Sequence, residues 1–214
     1  GSLTHSTTVT LVVSTATSGA KVISIDFTGS GTVMASTESA GVIAKTNWNP
    51  ANAAQSAAPL NLVDETGSAT SASVTWSADN TWSTPITDTA GNNRMMRGYL
   101  DNGSGNPITV TVSSLSAGKY NIYVYMDGDN GTFTKTGIYQ ISGSGIATTS
   151  IRATDAARTN FSGKFTRANN SNGNYVLFGS VTIASGFTIT ATPGTATGSP
   201  RSPVNGIQIV PAGP

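Results

Sequence analysis

From Tyr120 to Met126 the chain alternates: Tyr120, Ile122, Val124 and Met126 take one side, Asn121, Tyr123, Tyr125 and Asp127 the other. Successive side chains of a strand face opposite sides of a sheet, so this stretch predicts a strand with aromatics on its second face. Alternating or β-branched runs recur at 8–15, 21–28, 70–77, 107–115, 137–142, 161–167, 174–183, 186–192 and 204–210. Turn chemistry separates them, as in "DNGSGNP", "DGDNG", "NNSNGN" and "TPGTATGSP". About ten short strands joined by Gly- and Asn-rich turns predict an all-β fold, an antiparallel two-sheet β-sandwich or jelly roll. The one helix-like stretch, "PANAAQSAAP" at 50–59, has proline at both ends and predicts one or two turns of loop helix at most.

The pattern also divides the chain. Gly1-Ser2 reads as a tag-cleavage scar, followed to residue 19 by a linker or an edge strand; 20–211 form a single β-sandwich domain, and 212–214 a tail. The last apolar run, 204–210, is expected to pair with 21–28, which brings the ends of the domain together.

Composition narrows the function. Charged residues make up 10% of the 214, against about 25% in ordinary domains, and the net charge is +1. The eleven Lys and Arg are scattered, so no surface is built to track phosphates and nucleic acid is not an expected partner. No apolar run is long enough to cross a membrane as a helix. There is no cysteine, which excludes a disulfide framework, a thiolate metal site and a cysteine nucleophile. Polarity comes instead from Ser, Thr, Asn and Gly, a surface common in exported β proteins that meet neutral polar matter.

The residues for hydrolytic chemistry are sparse. His5 is the only histidine and sits beside the scar, which argues against a Ser-His-Asp arrangement or a histidine metal site. Two aspartates still suffice for a glycan-cleaving enzyme, so that activity stays as an alternative to an expected absence of catalysis.

Parts for binding a sugar are better represented. A sugar presents hydroxyl edges and apolar C–H faces, which suit flat aromatics flanked by amides, Arg or Asp. Trp48 stands between Asn47 and Asn49 on a polar stretch, and Trp82 stands in "DNTWSTP". Trp48 reads either as a sugar platform or as a plug closing the sandwich, while Trp76, in phase with Val74, reads as core. Read as a strand, "NNRMMRGYLDNG" aligns Arg97, Tyr99 and Asp101 on one face. That row suits a sugar or an ion-paired sheet surface. Tyr123, Tyr125 and Arg201 complete the candidate set; if the segment 34–68 covers the two tyrosines, the site moves to the loop tips. The "DGDNG" turn offers Asp127, Asp129 and Asn130, with Asp26 from a distant strand, as oxygen ligands for a structural calcium. An ordinary hairpin turn explains the same residues.

The opening strand "VISIDFTGSGTVM", the central "YNIYVYMDGDNG" and the closing "RSPVNGIQIVP" together resemble non-catalytic carbohydrate-binding modules of secreted bacterial polysaccharide-degrading enzymes, those with a galactose-binding-like (malectin-like) β-sandwich. The resemblance covers roughly residues 20 to 211 and matches no specific family. It implies a ligand site in the loops at one end or on a concave face, a structural calcium, an extracellular location and attachment to the other domains of a multimodular enzyme. The closing strand lacks the acidic residue that the usual calcium arrangement would place there. The expected function is therefore polysaccharide or oligosaccharide binding that tethers an attached enzyme. A structural or adhesive domain of a bacterial cell-surface protein is the alternative from another class.

Overall fold

The computed structural model describes residues 19–194 and 200–213, so the strand expected at 8–15 lies outside the described residues. Two large sheets pack as a sandwich. The first runs, in spatial order, β12 (Tyr175–Ile183), β8 (Gly118–Tyr125), β14 (Gly206–Pro211), β1 (Ile23–Phe27) and β2 (Asn49–Ala51). The second runs β11 (Ser171–Asn172), β10 (Ile146–Asp155), β9 (Lys135–Gly143), β13 (Phe187–Pro193), β7 (Ile108–Ser113), β4 (Ala69–Ser77) and β3 (Leu60–Val63). A separate ribbon pairs β5 (Asn80–Ser83) with β6 (Gly98–Asp101), and the one described helix, α1 (Asn92–Arg97), leads into β6. Among the described residues fourteen strands form, against about ten expected along the whole chain. Among the described residues the strand pairings are antiparallel except β1–β2 and β10–β11, and the isolated Arg167–Tyr175 bridge is also parallel.

The alternation read at 120–126 is the physical origin of the main core. Ile122 and Val124 of β8, Ile207 and Ile209 of β14, and Ile25 and Phe27 of β1 point inward. There they meet Val74 and Trp76 of β4, Val110 of β7, Tyr139 and Ile141 of β9 and Ile189 of β13. The pairing expected between the first and last apolar runs is present, with Ile23 opposite Ile209 and Asp26 opposite Gly206.

The first sheet is buried on its outer face as well. Tyr123, Tyr125, Trp48, Met95, Met96, Met34 and Phe161 form a second apolar cluster over β8 and β14. Alternation with an aromatic second face therefore marks a strand covered on both sides, by the 28–48 segment, α1 and the 161–165 loop.

Three local expectations are corrected. No helix forms at 50–59: Asn49–Ala51 joins β1 as a parallel strand, Gln55 bridges to Ser77, and β3 starts at Leu60. Residues 161–167 make no strand; they are irregular apart from a bridge between Arg167 and Tyr175, and Phe161 and Phe165 serve as lids on the aromatic cluster. Residues 92–97 are helical, a short turn that buries the adjacent Met95 and Met96 before β6 begins at Gly98.

Candidate functional site

Among the described residues, only Val33, Trp82 and Phe133 are large apolar side chains with a substantial part of their surface in solvent, and Trp82 is 52% exposed. Trp82 borders a pocket of about 280 Å³ together with Asn80, Tyr99, Asp101, Gly103, Asp129, Lys135 and Arg201. The sequence reading named Trp82, Tyr99, Asp101 and Arg201 as ligand residues; the fold brings these four to one place.

Each wall has a local cause. Trp82 and Tyr99 are directly opposed in the β5–β6 ribbon, so both side chains project from the same face. The ribbon is pressed against the segment after β1. Gly29 takes φ 54, and a Cβ there would stand 2.2 Å from the Trp82 carbonyl oxygen; only glycine permits this approach. Paired bonds between Leu100 and Val204 bring the entry to β14 against β6. The buried Asn102 side chain donates to the Ser202 hydroxyl at 2.7 Å and accepts from the Ser202 amide at 2.9 Å, fixing the neighbouring Arg201 beside Asp101. The turn after β8 closes the far side, where the Asp129 amide donates to the Tyr99 hydroxyl at 3.1 Å and Lys135 donates to the Asp129 carbonyl.

The pocket's formal charges cancel, Arg201 and Lys135 against Asp101 and Asp129. Arg201 Nε lies 3.0 Å from Asp101 Oδ1, yet its N–H is not directed at that oxygen, which keeps no hydrogen-bond donor although it is buried. Burial holds the Asp101 carboxyl above the usual carboxylate range, against the attraction of Arg201 and Lys135. Burial likewise lowers the Lys135 ammonium and raises the Tyr99 phenol. The result is an acceptor without a donor beside cationic groups and an exposed indole.

The other candidates lie elsewhere. Trp48 is buried against Tyr125 with ring centroids 6.0 Å apart, and its Nε1 donates to the Lys45 carbonyl at 2.9 Å. It plugs the outer cluster. Asn47 and Asn49 spend their amides on the backbone: Asn47 Nδ2 on Glu65 O, and Asn49 on Ser24 and Val63. Tyr125 is fully buried beneath the 28–48 segment, its hydroxyl accepting from the Val42 amide and donating to Gln208 Oε1. Tyr123 packs beside Tyr175. Arg97 ends α1 and turns to Asp88 at 3.5 Å rather than joining Tyr99 and Asp101. Lys135 and Asn80 were missed. Lys135 comes four residues after "DGDNG", and a cation just past a polar turn was the available signal.

The oxygen ligands proposed for a metal also separate. Asp26 is fully buried on the outer face of β1, neither carboxyl oxygen has a donor, and Glu38 is the charge that acts on it. It belongs to no cluster with the turn. Asp129 faces the Trp82 pocket. Asp127 lines a different pocket of about 200 Å³, together with Asp155, which the sequence reading did not name. Burial, then mutual repulsion, pushes Asp127 up to about 8; burial pushes Asp155 up to about 7. No three His, Cys, Asp or Glu side chains converge among the described residues.

A larger groove of about 370 Å³ lies between the β9–β10 hairpin and β12, but no ionisable side chain lines it. No protein-family model, no curated protein and no solved structure matches this chain.

Proposed function

We propose that the chain is a non-catalytic module that binds the sugar units of a polysaccharide or oligosaccharide at the Trp82 pocket. The observation that carries this reading is the half-exposed Trp82 indole beside Asp101 Oδ1, a buried acceptor without a donor. An indole offers an apolar face for sugar C–H groups. A sugar hydroxyl donates to the Asp101 carboxyl where it lines the pocket, and Arg201, Lys135 and Asn80 donate to ring and hydroxyl oxygens. The cancelling charges favour neutral glycans over acidic ones. The pocket accommodates about one ring, so a longer chain would run across its open mouth.

In this reading the module belongs outside the cell and serves an attached enzyme by holding it on substrate. Affinity gel electrophoresis against a panel of neutral and acidic polysaccharides tests it. Retardation by at least one neutral glycan is the expected result, and mobility unchanged across the whole panel contradicts it.

A further inference from the structure

One side seam of the sandwich is open. β12 ends the first sheet, and β10 is covered on its outer edge only at Ala153 and Thr154, by the two-residue β11. Among the described residues no strand pairing joins the two sheets along this side. The groove of about 370 Å³ between them reaches down to Ile141, Ile151 and Phe178 of the main core. Thr149 lies opposite Ile141 and shares its inward face, yet Thr149 and the neighbouring groove residue Ala147 are both exposed. A core-facing position left in solvent marks a missing neighbour, not an outer surface.

The backbone of β10 is open at the same place. Arg152 turns its polar groups outward: its N–H donates to Asn170 Oδ1 at 3.1 Å, and its carbonyl accepts from Asn170 N at 2.9 Å. Ser150, two residues earlier, presents its N–H and C=O in the same direction, where β11 does not extend. Such an edge is a template for one more strand.

The path of the chain identifies the occupant. Gly19, where the described residues begin, borders a pocket with Ser116 and Tyr120. Tyr120 stands opposite Val181 of β12, and Val181 faces the groove together with Ile146, the first residue of β10. A segment leading into Gly19 thus meets the fold at the end of the seam where β10 starts, and along the seam it would run antiparallel to β10. β12 lies three strand spacings from β1, about 14 Å. The four residue steps from Thr15 to Gly19 cover about 14 Å when extended. Just before them stands "TVTLVVST" at 8–15, outside the described residues. It carries no charge, and no ionisable side chain lines the groove. Its alternation puts Val9, Leu11 and Val13 on one face and Thr10, Val12 and Ser14 on the other.

We propose that residues 8–15 of the same chain close this seam as a further strand. The strand pairs antiparallel with β10, bonds the Ser150 amide, and lays Val9, Leu11 and Val13 into the groove over Ile146 and Ile151. It completes the second sheet beyond β10 and removes an apolar edge open to association.

Amide hydrogen exchange of the whole chain, read at Ser150 by NMR, tests the proposal. The Ser150 amide of the native chain should exchange at least about a hundredfold more slowly than in the unfolded chain. Leu11→Asp combined with Val13→Asp should speed it about tenfold or more, while Thr10→Asp combined with Ser14→Asp should leave it within about threefold. Protection should not change on dilution. Fast exchange at Ser150 in the native chain overturns the proposal, and that measurement needs no variant to fold. Protection that survives Leu11→Asp with Val13→Asp, or is lost equally with Thr10→Asp and Ser14→Asp, also overturns it. So does protection that falls on dilution, which would make the occupant a second copy.

Discussion

Trp82 and Tyr99 stand directly opposite each other in the β5–β6 ribbon, the indole half exposed and the phenol buried with its oxygen held by the Asp129 amide. One residue of the pair is offered to solvent while the other ties the ribbon to the turn after β8. The two substitutions should therefore part company. Trp82→Ala should weaken binding to the retarding glycan at least tenfold and change Tm by no more than about 2 °C. Tyr99→Phe keeps the ring but leaves the Asp129 amide without its acceptor, so it should cost about 1 kcal/mol of stability. Chemical denaturation and affinity electrophoresis of both variants check this.

Arg201 and Asp101 form a pair that is partly desolvated, with side chains 21% and 9% exposed. Removing the cation strands a buried carboxyl. Arg201→Ala should lose about 1–3 kcal/mol of stability and weaken glycan binding tenfold or more. Arg201→Lys should recover part of the stability but less of the affinity, because a point charge replaces a planar fork of donors. Calorimetric titration of each folded variant measures the separation.

Trp48 gives the converse prediction. It is buried in the outer cluster, so Trp48→Ala should destabilise the fold by about 3–5 kcal/mol. At a temperature where the variant is folded, its glycan affinity should match that of the native chain. A selective loss of affinity with unchanged stability would place the site on Trp48 instead.

Asp26 predicts a pH effect. Burial without any hydrogen-bond donor, aided by Glu38, raises its folded-state pKa well above 3.8. A raised acid contributes stability that is fully present below its unfolded pKa and is lost as pH rises toward the folded value. Asp26→Asn carries no such loss. Relative to the native chain it should be near equal in Tm at pH 4 and several degrees more stable at pH 8, as thermal melts across that range will show.

How much of this was legible in the sequence depends on the range of the interaction. Ile122, Val124, Ile207 and Ile209 announce their strands because period-two burial is local. Tyr123 and Tyr125 announce a second face but not its cover, since Trp48 and Val42 reach Tyr125 from about eighty residues away. The helix at 92–97 is too short to show a helical period and depends on tertiary burial of Met95 and Met96. The long β10 hides in "IATTSIRATD", where Thr and Ser are as numerous as apolar residues. At the site, Trp82 and Arg201 were readable as residue types, but their meeting depends on the Leu100–Val204 and Asn102–Ser202 bonds. Asp155 passed unnoticed because nothing near it in the chain marks it as the neighbour of Asp127.

Acrylamide quenching of tryptophan fluorescence, with and without a retarding glycan, bears most directly on the claim that Trp82 is the binding platform. Trp48 and Trp76 are 4% and 8% exposed, so the quenchable emission should come almost wholly from Trp82. The account predicts that saturating glycan shields this emission and that Trp82→Phe removes both the quenching and the shielding. Quenching that is unchanged by a glycan the protein demonstrably binds would contradict it.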